Sequence, residues 1–425
     1  MNRRARAVFA ICFALLAFGS ASGATLSGRL TTSAYTWRWQ SLDGSDEAHL
    51  RFFQSARLSA GQLGDMPLSF HAYAQVSADP LGDVSGRDNF RIYHAYLKWR
   101  SPRLSDLRIQ AGRQRIFAGV GYGTVDGVKA QVAPHPYLTV SGYAGILVPI
   151  LSEDGIGTWD EGHLWGGRAQ VQVKETSASV SFAQREREAV PYTQAGRYSG
   201  LLRTGSADQF QRFGLDVRQG FRGRGEIFGR VDYDVEEEKV HDVEVGATLR
   251  PSPTLEFATE YQHRRPSISL NSVLSVFELS NDDEFSCRMS AQVNPRVRLT
   301  THAVRIGYEG ETSWRAGVGV SVANTYIGYT RRAGYGGEND ALTLSVQHPL
   351  TPEVTLRVNG NLAGYRLYEG QGDRNRAMAG SFGLGFRPNP KASLDAEAQL
   401  LSNEFYGRDL RLFVRGSFWF FKRSK

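Results

Sequence analysis

Apolar and polar side chains alternate along most of this chain with a period of two residues. In one segment Leu68, Phe70 and Ala72 alternate with Ser69 and His71, and the alternation runs on to residue 77. Successive side chains of a β-strand point to opposite faces, so each such segment has one apolar and one polar face. Turn residues interrupt the alternation at short intervals between about residue 26 and residue 421. The pattern predicts an all-β chain of many antiparallel strands.

The polar face of these segments is densely charged. This feature distinguishes between two possible all-β architectures. A soluble sandwich hides its apolar faces between two sheets, whereas a transmembrane barrel presents them to lipid and turns its polar faces toward a wet lumen. No segment after residue 24 is long and apolar enough for a membrane helix. A chain without such helices spans a membrane as a closed barrel, because closure satisfies every backbone hydrogen-bonding group. We therefore predict a transmembrane antiparallel up-and-down β-barrel.

Residues 1–24 have the three parts of a secretory signal peptide. Arg3, Arg4 and Arg6 form a positive start, residues 7–18 are an uninterrupted apolar run, and small residues lead to a cleavage site after Ala24. An N-terminal membrane anchor is disfavoured, because the apolar run is shorter than a spanning helix. The sequence thus predicts Sec-type export to the outer membrane of a Gram-negative cell, with residues 25–425 forming one barrel domain.

Two kinds of connection divide the predicted barrel. Short turns rich in Pro, Asn, Gly and Asp are predicted at 62–67, 101–106, 133–136, 174–177, 220–225, 250–254, 294–296, 323–325, 348–352 and 387–391. Longer polar loops include 41–47, 79–88, 115–127, 148–163, 189–206, 266–283, 332–340, 369–376 and 402–408. Outer-membrane barrels have short periplasmic turns and longer outer loops. Ten turns join eleven hairpins, which predicts about 22 strands within a range of about 18–24, with no plug domain.

Composition narrows the functional classes. Mean hydropathy is −0.36, far below that of helical membrane proteins. Residues 1–24 contain three arginines and no acidic residue, so their removal lowers the net charge from +7 to +4, too little for a nucleic-acid-binding surface. Cys287 is the one cysteine after residue 24, so no intramolecular disulfide, c-type haem site or zinc–cysteine site is expected. We predict no metal and no cofactor.

Arginine dominates the polar phase of the predicted strands, meaning the alternate residues that make up their polar face. The residues predicted to line the pore or its constriction are Arg108, Arg113, Arg115, Asp126, Lys129, Arg168, Arg218, Arg230, Arg288 and Arg357. Because rings of arginine favour anions in pores, we expect a weak anion preference. Structural salt bridging without a role in transport is the alternative interpretation of these charges.

A GxGxG segment formed by Gly119, Gly121 and Gly123 lies between two predicted strands. A phosphate-binding loop of this kind needs a helix after it, and here a strand follows. We therefore interpret 115–127 as a glycine-rich loop. It either folds into the lumen, where Arg113, Arg115 and Asp126 would set the field, or stays a plain outer loop.

Recognisable catalytic patterns are missing from the sequence. It contains no GxSxG and no HExxH, and its nine histidines do not stand at an informative spacing from a serine or a carboxylate. We predict no catalytic residues and a protein that is not an enzyme.

Two passages carry a family resemblance. Val414, Gly416, Trp419 and Phe421 resemble the C-terminal insertion signal of outer-membrane proteins, although that signal usually starts on a polar residue and ends the chain. Residues 107–127 resemble the porin strand that leads into an inward-folded loop. The chain therefore resembles porin-like bacterial outer-membrane barrels, with no subfamily assigned. The resemblance implies contact with the lipid bilayer, lipopolysaccharide and the barrel-assembly machinery, and it makes a homotrimer one assembly to consider.

Three functional hypotheses follow. The first is a channel for passive diffusion of small hydrophilic solutes or ions. The second is a non-catalytic sleeve around a periplasmic multihaem cytochrome in an electron conduit, since such a barrel also needs neither a plug nor haem motifs of its own. The third is an outer-membrane lipid hydrolase that assembles its catalytic groups from distant strands.

Overall fold

The structure is a computed structural model. It describes residues 25–423 except 41–45, 63–66, 82–89, 103, 105, 150–154, 189–190, 194–201, 205–208, 266–281, 309, 368–369, 371, 404–406 and 408. The predicted signal peptide and its cleavage site lie outside the described residues. In the part of the chain that is described, no helix is long and apolar enough to cross a membrane.

The described chain consists of 24 strands. They are β1 (Thr25–Gln40), β2 (Asp46–Gly61), β3 (Leu68–Ala78), β4 (Phe90–Arg100), β5 (Arg108–Ala118), β6 (Gly121–His135), β7 (Leu138–Leu147), β8 (Gly162–Val173), β9 (Thr176–Arg187), β10 (Pro191–Thr193), β11 (Leu202–Thr204), β12 (Phe210–Gly220), β13 (Gly225–Asp234), β14 (Lys239–Ser252), β15 (Leu255–Arg264), β16 (Asp282–Asn294), β17 (Val297–Tyr308), β18 (Glu311–Val322), β19 (Thr325–Gly334), β20 (Glu338–Pro349), β21 (Val354–Arg366), β22 (Asn375–Asn389), β23 (Ala392–Ser402) and β24 (Asp409–Arg423).

Twenty-two of these strands form one closed antiparallel barrel. Each strand pairs with its neighbours in the chain, and β9 pairs directly with β12. The sheet closes where β1 pairs with β24, in register from Thr25 opposite Arg423 to Thr36 opposite Leu412. β10 and β11 make a separate small hairpin in the connection between β9 and β12. The all-β antiparallel barrel and the predicted number of 22 strands are confirmed, and the absence of a plug domain stays a prediction.

The connections follow the predicted division into short turns and longer loops. All ten predicted turns coincide or overlap with breaks between strands, at 62–67, 101–107, 136–137, 174–175, 221–224, 253–254, 295–296, 323–324, 350–353 and 390–391. Two loop predictions are wrong in extent. The segment 115–127 is mostly strand, because β5 and β6 continue to a two-residue turn, and 332–340 shrinks to 335–337 for the same reason.

The predicted insertion signal lies in the closing strand. Gly416 and Trp419 are paired with Thr32 and Arg29 of β1, and Phe421 is 68% exposed near the end of β24. The Arg387 guanidinium lies 5.9 Å from the centre of the Trp419 ring. Recognition of these residues by the assembly machinery remains a prediction.

Deletion of residues 409–425 should abolish the folded barrel. It removes β24 and so leaves β1 and β23 as open edges, whose unpaired backbone groups are not tolerated in lipid. We expect loss of the heat-modifiable band on an unboiled gel and loss of membrane-embedded protein. A control that lacks only residues 424–425 keeps β24 whole and should fold normally. Normal amounts of folded protein from the long deletion would contradict the closure by β24.

Candidate functional site

The polar phase of the strands forms the inner wall of the barrel. On β12, Phe213, Leu215 and Val217 are between 43% and 46% exposed and alternate with Arg212 and Asp216. In a transmembrane barrel the exposed apolar phase faces lipid, so the charged phase faces the lumen. Strand register extends this assignment from β12 to every other strand of the sheet, because residues paired across a ladder share a face.

One part of the inner wall, which we call the cationic sector, spans β1 to β8. Its inner phase carries Arg29, Arg51, Arg57, Lys98, Arg108, Lys129 and Arg168. β3, β4, β5, β7 and β8 contain no acidic residue at all. The potential along this sector is therefore positive over a wide arc of the lumen.

A second part, the mixed sector, spans β12 to β16 and carries most of the inner carboxylates. Arg230 contacts Asp232 at 2.7 Å and lies 3.9 Å from Asp216. Arg168 of β8 reaches across β9 to Asp216 at 3.7 Å, and the Ser179 hydroxyl donates a hydrogen bond to the same carboxylate. The Arg230–Asp216 pair joins two neighbouring strands, and the Arg168–Asp216 pair joins the two strands on either side of β9. Each partly wet pair contributes about 0–1 kcal/mol.

The remaining predicted pore residues are spread round the wall. Arg218 lies 3.9 Å from Glu226, and Arg357 contacts Asp395 at 2.9 Å. Arg288 is exposed and stands opposite His302 of β17.

Two further candidates of the cationic sector lie on β5 and β6. Lys129 of β6 is paired with Gln110 of β5. Arg108 contacts Asp106 in a short turn, and the guanidinium groups of Arg108 and Arg100 hold the pKa of the Asp106 carboxyl below its ordinary value. The lumen-facing candidates thus line different arcs of the wall instead of converging on one ring. Their roles in conduction stay predictions.

Aromatic rings form a continuous set on the inner phase of β3 and β4. Tyr73 stacks on Tyr93 with ring centres 4.5 Å apart, and His71 stacks on Tyr96 at 5.1 Å. The Arg57 guanidinium lies 5.1 Å from the Tyr73 ring centre. This set was not identifiable from the sequence, because its rings belong to two strands and meet only through strand register.

The β5–β6 hairpin leaves the plane of the wall and lies against the inner face of β7, β8, β9 and β12. The Val120 amide donates a hydrogen bond of 3.2 Å to Ser181 Oγ on β9, and the Tyr122 ring stacks on Phe210 of β12 at 5.5 Å. Glycine permits this approach, since a Cβ at Gly121 would lie 1.7 Å from Tyr143 Oη. Of the two conformations predicted for this segment, the structure has the inward-folded one.

An apolar cluster holds the hairpin in place. Ile116 and Val125 of the hairpin and Leu164 and Ala183 of the wall are all fully buried. Truncating such a buried aliphatic side chain to alanine costs about 2–5 kcal/mol, so docking of the hairpin is a specific packed contact. The glycines at 119, 121 and 123 were the sequence signal for it, but the partner residues were not identifiable before the fold was known.

The three candidates on this hairpin differ in surroundings. Arg113 is 5% exposed and forms a bidentate pair with Asp126 at 2.8 and 2.9 Å, and it also donates a hydrogen bond to the Gly155 carbonyl. Arg115 is exposed and lies over the Phe117 ring at 4.8 Å. Arg113 and Asp126 therefore neutralise each other, and Arg115 is the member of the set that solvent reaches.

His71 is the residue that bears most directly on the hydrolase hypothesis. Its two ring nitrogens contact the hydroxyl groups of Ser59 and Ser69, each at 3.0 Å. A serine nucleophile needs a histidine whose other nitrogen is oriented by a carboxylate or an equivalent acceptor. Here serines occupy both positions, so the arrangement is a hydrogen-bonded wall contact.

Comparisons place this geometry among known outer-membrane folds. No protein-family model matches the chain, and no curated protein matches it in sequence. The translocation pore of the P pilus usher PapC superimposes with a TM-score of 0.52 at 12% identity, covering 93% of this chain and 99% of that one. A mutant of the ferric enterobactin receptor PfeA of Pseudomonas aeruginosa gives 0.57 at 10% identity, covering 94% and 81%. The chain therefore has the fold of a bacterial outer-membrane β-barrel.

A disulfide between V120C and G214C should form if the hairpin docks on β12. A Cβ built at Gly214 lies 2.5 Å from Val120 Cγ1, so two sulfur atoms at these positions are within bonding reach. In a Cys287→Ser background, mild oxidation should give a loop-closed form of distinct mobility on a non-reducing gel. The control pair V120C and T343C, whose second site lies on the inner phase of β20, should not cross-link. Cross-linking of the control pair alone would place the hairpin elsewhere.

Proposed function

We propose that this chain, after Sec-type export, forms an outer-membrane channel for passive diffusion of small hydrophilic solutes or ions, with a weak anion preference. The observation that carries the proposal is the inner wall, which combines a closed 22-strand sheet with a cationic sector over β1 to β8. A wall of polar side chains around a wide lumen is what an aqueous path requires.

The distribution of charge supports weak and not strong selectivity. Five strands of the cationic sector contain no carboxylate, and of its seven named cations Arg108 and Arg168 contact an acid. The mixed sector carries more carboxylates, and they pair with cations such as Arg230. A low-dielectric wall focuses the resulting positive field, and dissolved salt screens it over about 8 Å at physiological ionic strength. A solute that crosses the middle of a wide lumen thus feels a small net preference for negative charge.

The docked hairpin supports a passive path that is narrowed from one side. It thickens the wall over β7 to β12 and presents Arg115 on an exposed surface. The opposite wall, which includes β17 to β22, carries Arg298, Arg315 and Arg357 on its inner phase. An anion in transit therefore passes cations on both sides of the lumen.

Planar-bilayer recording of purified, refolded full-length protein tests the channel directly. We expect stepwise ohmic conductance that grows with salt concentration, because ions would cross through a water-filled lumen. A folded, heat-modifiable barrel that shows no conductance would contradict the proposal. A silent barrel that co-purifies with a haem-staining partner would replace it with the cytochrome sleeve, and lipid hydrolysis would replace it with the enzyme.

Neutralising Arg288 and Arg315 together, in the double variant R288Q and R315Q, should reduce the anion preference of the channel. Arg288 and Arg315 are exposed on the inner phase of β16 and β18, so their loss weakens the lumen field without breaking a described ion pair. The reversal potential across a salt gradient should move toward cations, more at 0.01 M than at 1 M salt, since the screening length falls from about 30 to about 3 Å. The matched control R305Q, on the outer phase of β17, should behave like the parent. Equal reversal potentials for all three proteins would remove these arginines from the conduction path.

A further inference from the structure

The outer phase of β19 to β22 carries a row of charged residues, most of them arginines, near the long-loop end of the barrel. Arg331 is paired with Asp340, Asp340 with Gly364, and Gly364 with Arg376, so the four positions run side by side across four strands. Neighbouring strands are about 4.8 Å apart, so the row is about 14 Å wide. Even-numbered positions of β22 face outward, because the odd-numbered ones line the lumen opposite Arg357 and Asn359. We call these positions, with Arg374, the outer row.

Arg374 belongs to this row although it comes from the loop before β22. Its guanidinium contacts the Asp340 carboxylate and donates a hydrogen bond of 3.4 Å to the Gly364 carbonyl. A Cβ at Gly364 would lie 2.9 Å from Arg374 Nε, so glycine at this position leaves room for the arginine to lie on the wall. The outer row thus has three guanidinium groups and one carboxylate, and Asp340 fixes the central one.

The next outward-facing row toward the short-turn end is apolar. Its members are each paired with the next and between 42% and 53% exposed: Tyr329, Leu342, Leu362 and Met378. The change from apolar to cationic therefore occurs within one step along the strands. Such a step marks the height at which hydrocarbon gives way to headgroups on the surface of a barrel.

We propose that the outer row binds the phosphate groups of an anionic glycolipid of the outer leaflet, whose acyl chains lie on the apolar row. Long loops of outer-membrane barrels face the cell exterior, which puts this row at the outer leaflet. Guanidinium groups bind phosphate through their charge and through paired hydrogen bonds. Arg331 and Arg376 are exposed and flank the Arg374–Asp340 pair, so two further guanidinium groups are offered to the lipid. The proposal rests on the fold of the wall and does not depend on conduction.

Titration of the detergent-solubilised full-length barrel with diphosphoryl lipid A, followed by native mass spectrometry, tests this site. R331Q combined with R376Q keeps the Arg374–Asp340 pair and removes the two flanking charges. We expect the apparent dissociation constant to rise about tenfold or more. R331K combined with R376K retains charge and should stay within a few-fold of the parent, because lysine binds phosphate as a point charge. The inner-wall pair R288Q and R315Q serves as the charge-matched control and should bind like the parent.

Each contrary outcome overturns the proposal. Unchanged binding by the glutamine variant, or equal weakening by the inner-wall control, would remove the outer row as the site. Competition by millimolar inorganic phosphate would show a free-anion site, and equal binding of phosphatidylglycerol would show a general anionic-lipid surface. The glutamine variant fails to fold if it gives no heat-modifiable band. The site is then tested by the lysine variant and the control pair, and by competition with phosphate and phosphatidylglycerol on the parent protein. Loss of conductance in the parent with lipid binding intact would count against the channel and not against this site.

Discussion

Backbone hydrogen bonding in lipid is the constraint on which the rest of this structure depends. Water is absent from the hydrocarbon layer, so an unpaired amide or carbonyl there costs several kcal/mol, and a sheet avoids that cost by having no edge. The pairing of β1 with β24 removes the last two edges, over twelve paired residues from Thr25 to Thr36. Closure then separates two environments, and the two-residue alternation decides which side chain meets which. The charged inner wall and the apolar outer wall are both consequences of that separation.

The β5–β6 hairpin shows what happens where a segment leaves the wall. Within the wall Gln110 and Lys129 lie on the inner phase, and Val128 is exposed on the outer phase. Beyond Gly112, whose φ of +122° favours glycine, the hairpin turns over the inner face of its neighbours. Its former inner phase, with Ile116, then packs against wall residues and becomes the buried side. A phase that would otherwise contact lipid, with Arg115, becomes exposed to water. The alternation of the two phases continues along the hairpin, but each phase now meets a different environment.

The sequence predicted the features that depend on neighbours in the chain. Alternation defines strands, and Pro, Gly, Asn and Asp mark turns, so the ten turns and the 22 strands were within reach. Contacts between distant segments were not. The pairing of Arg113 with Asp126 depends on the register of β5 and β6. The hydrogen bond from Val120 to Ser181 depends on a hairpin that crosses β7 and β8 to reach β9. Arg374 is a similar case, since nothing in a loop sequence says that its side chain folds back over Gly364. The glycines at 119, 121 and 123 indicated a close approach without naming its partner.

Backbone hydrogen exchange of the lipid-embedded protein is the most direct measurement of closure. Paired amides inside a barrel open only with the sheet, whereas the amides of an edge strand exchange quickly. The structure predicts that amides in the middle of β1 and β24, such as Thr31 and Ser417, exchange as slowly as those in the middle of β16 and β17. Fast exchange confined to β1 and β24 would mean an open sheet, and it would contradict the closed wall on which the inner surface, the hairpin and the outer row all depend.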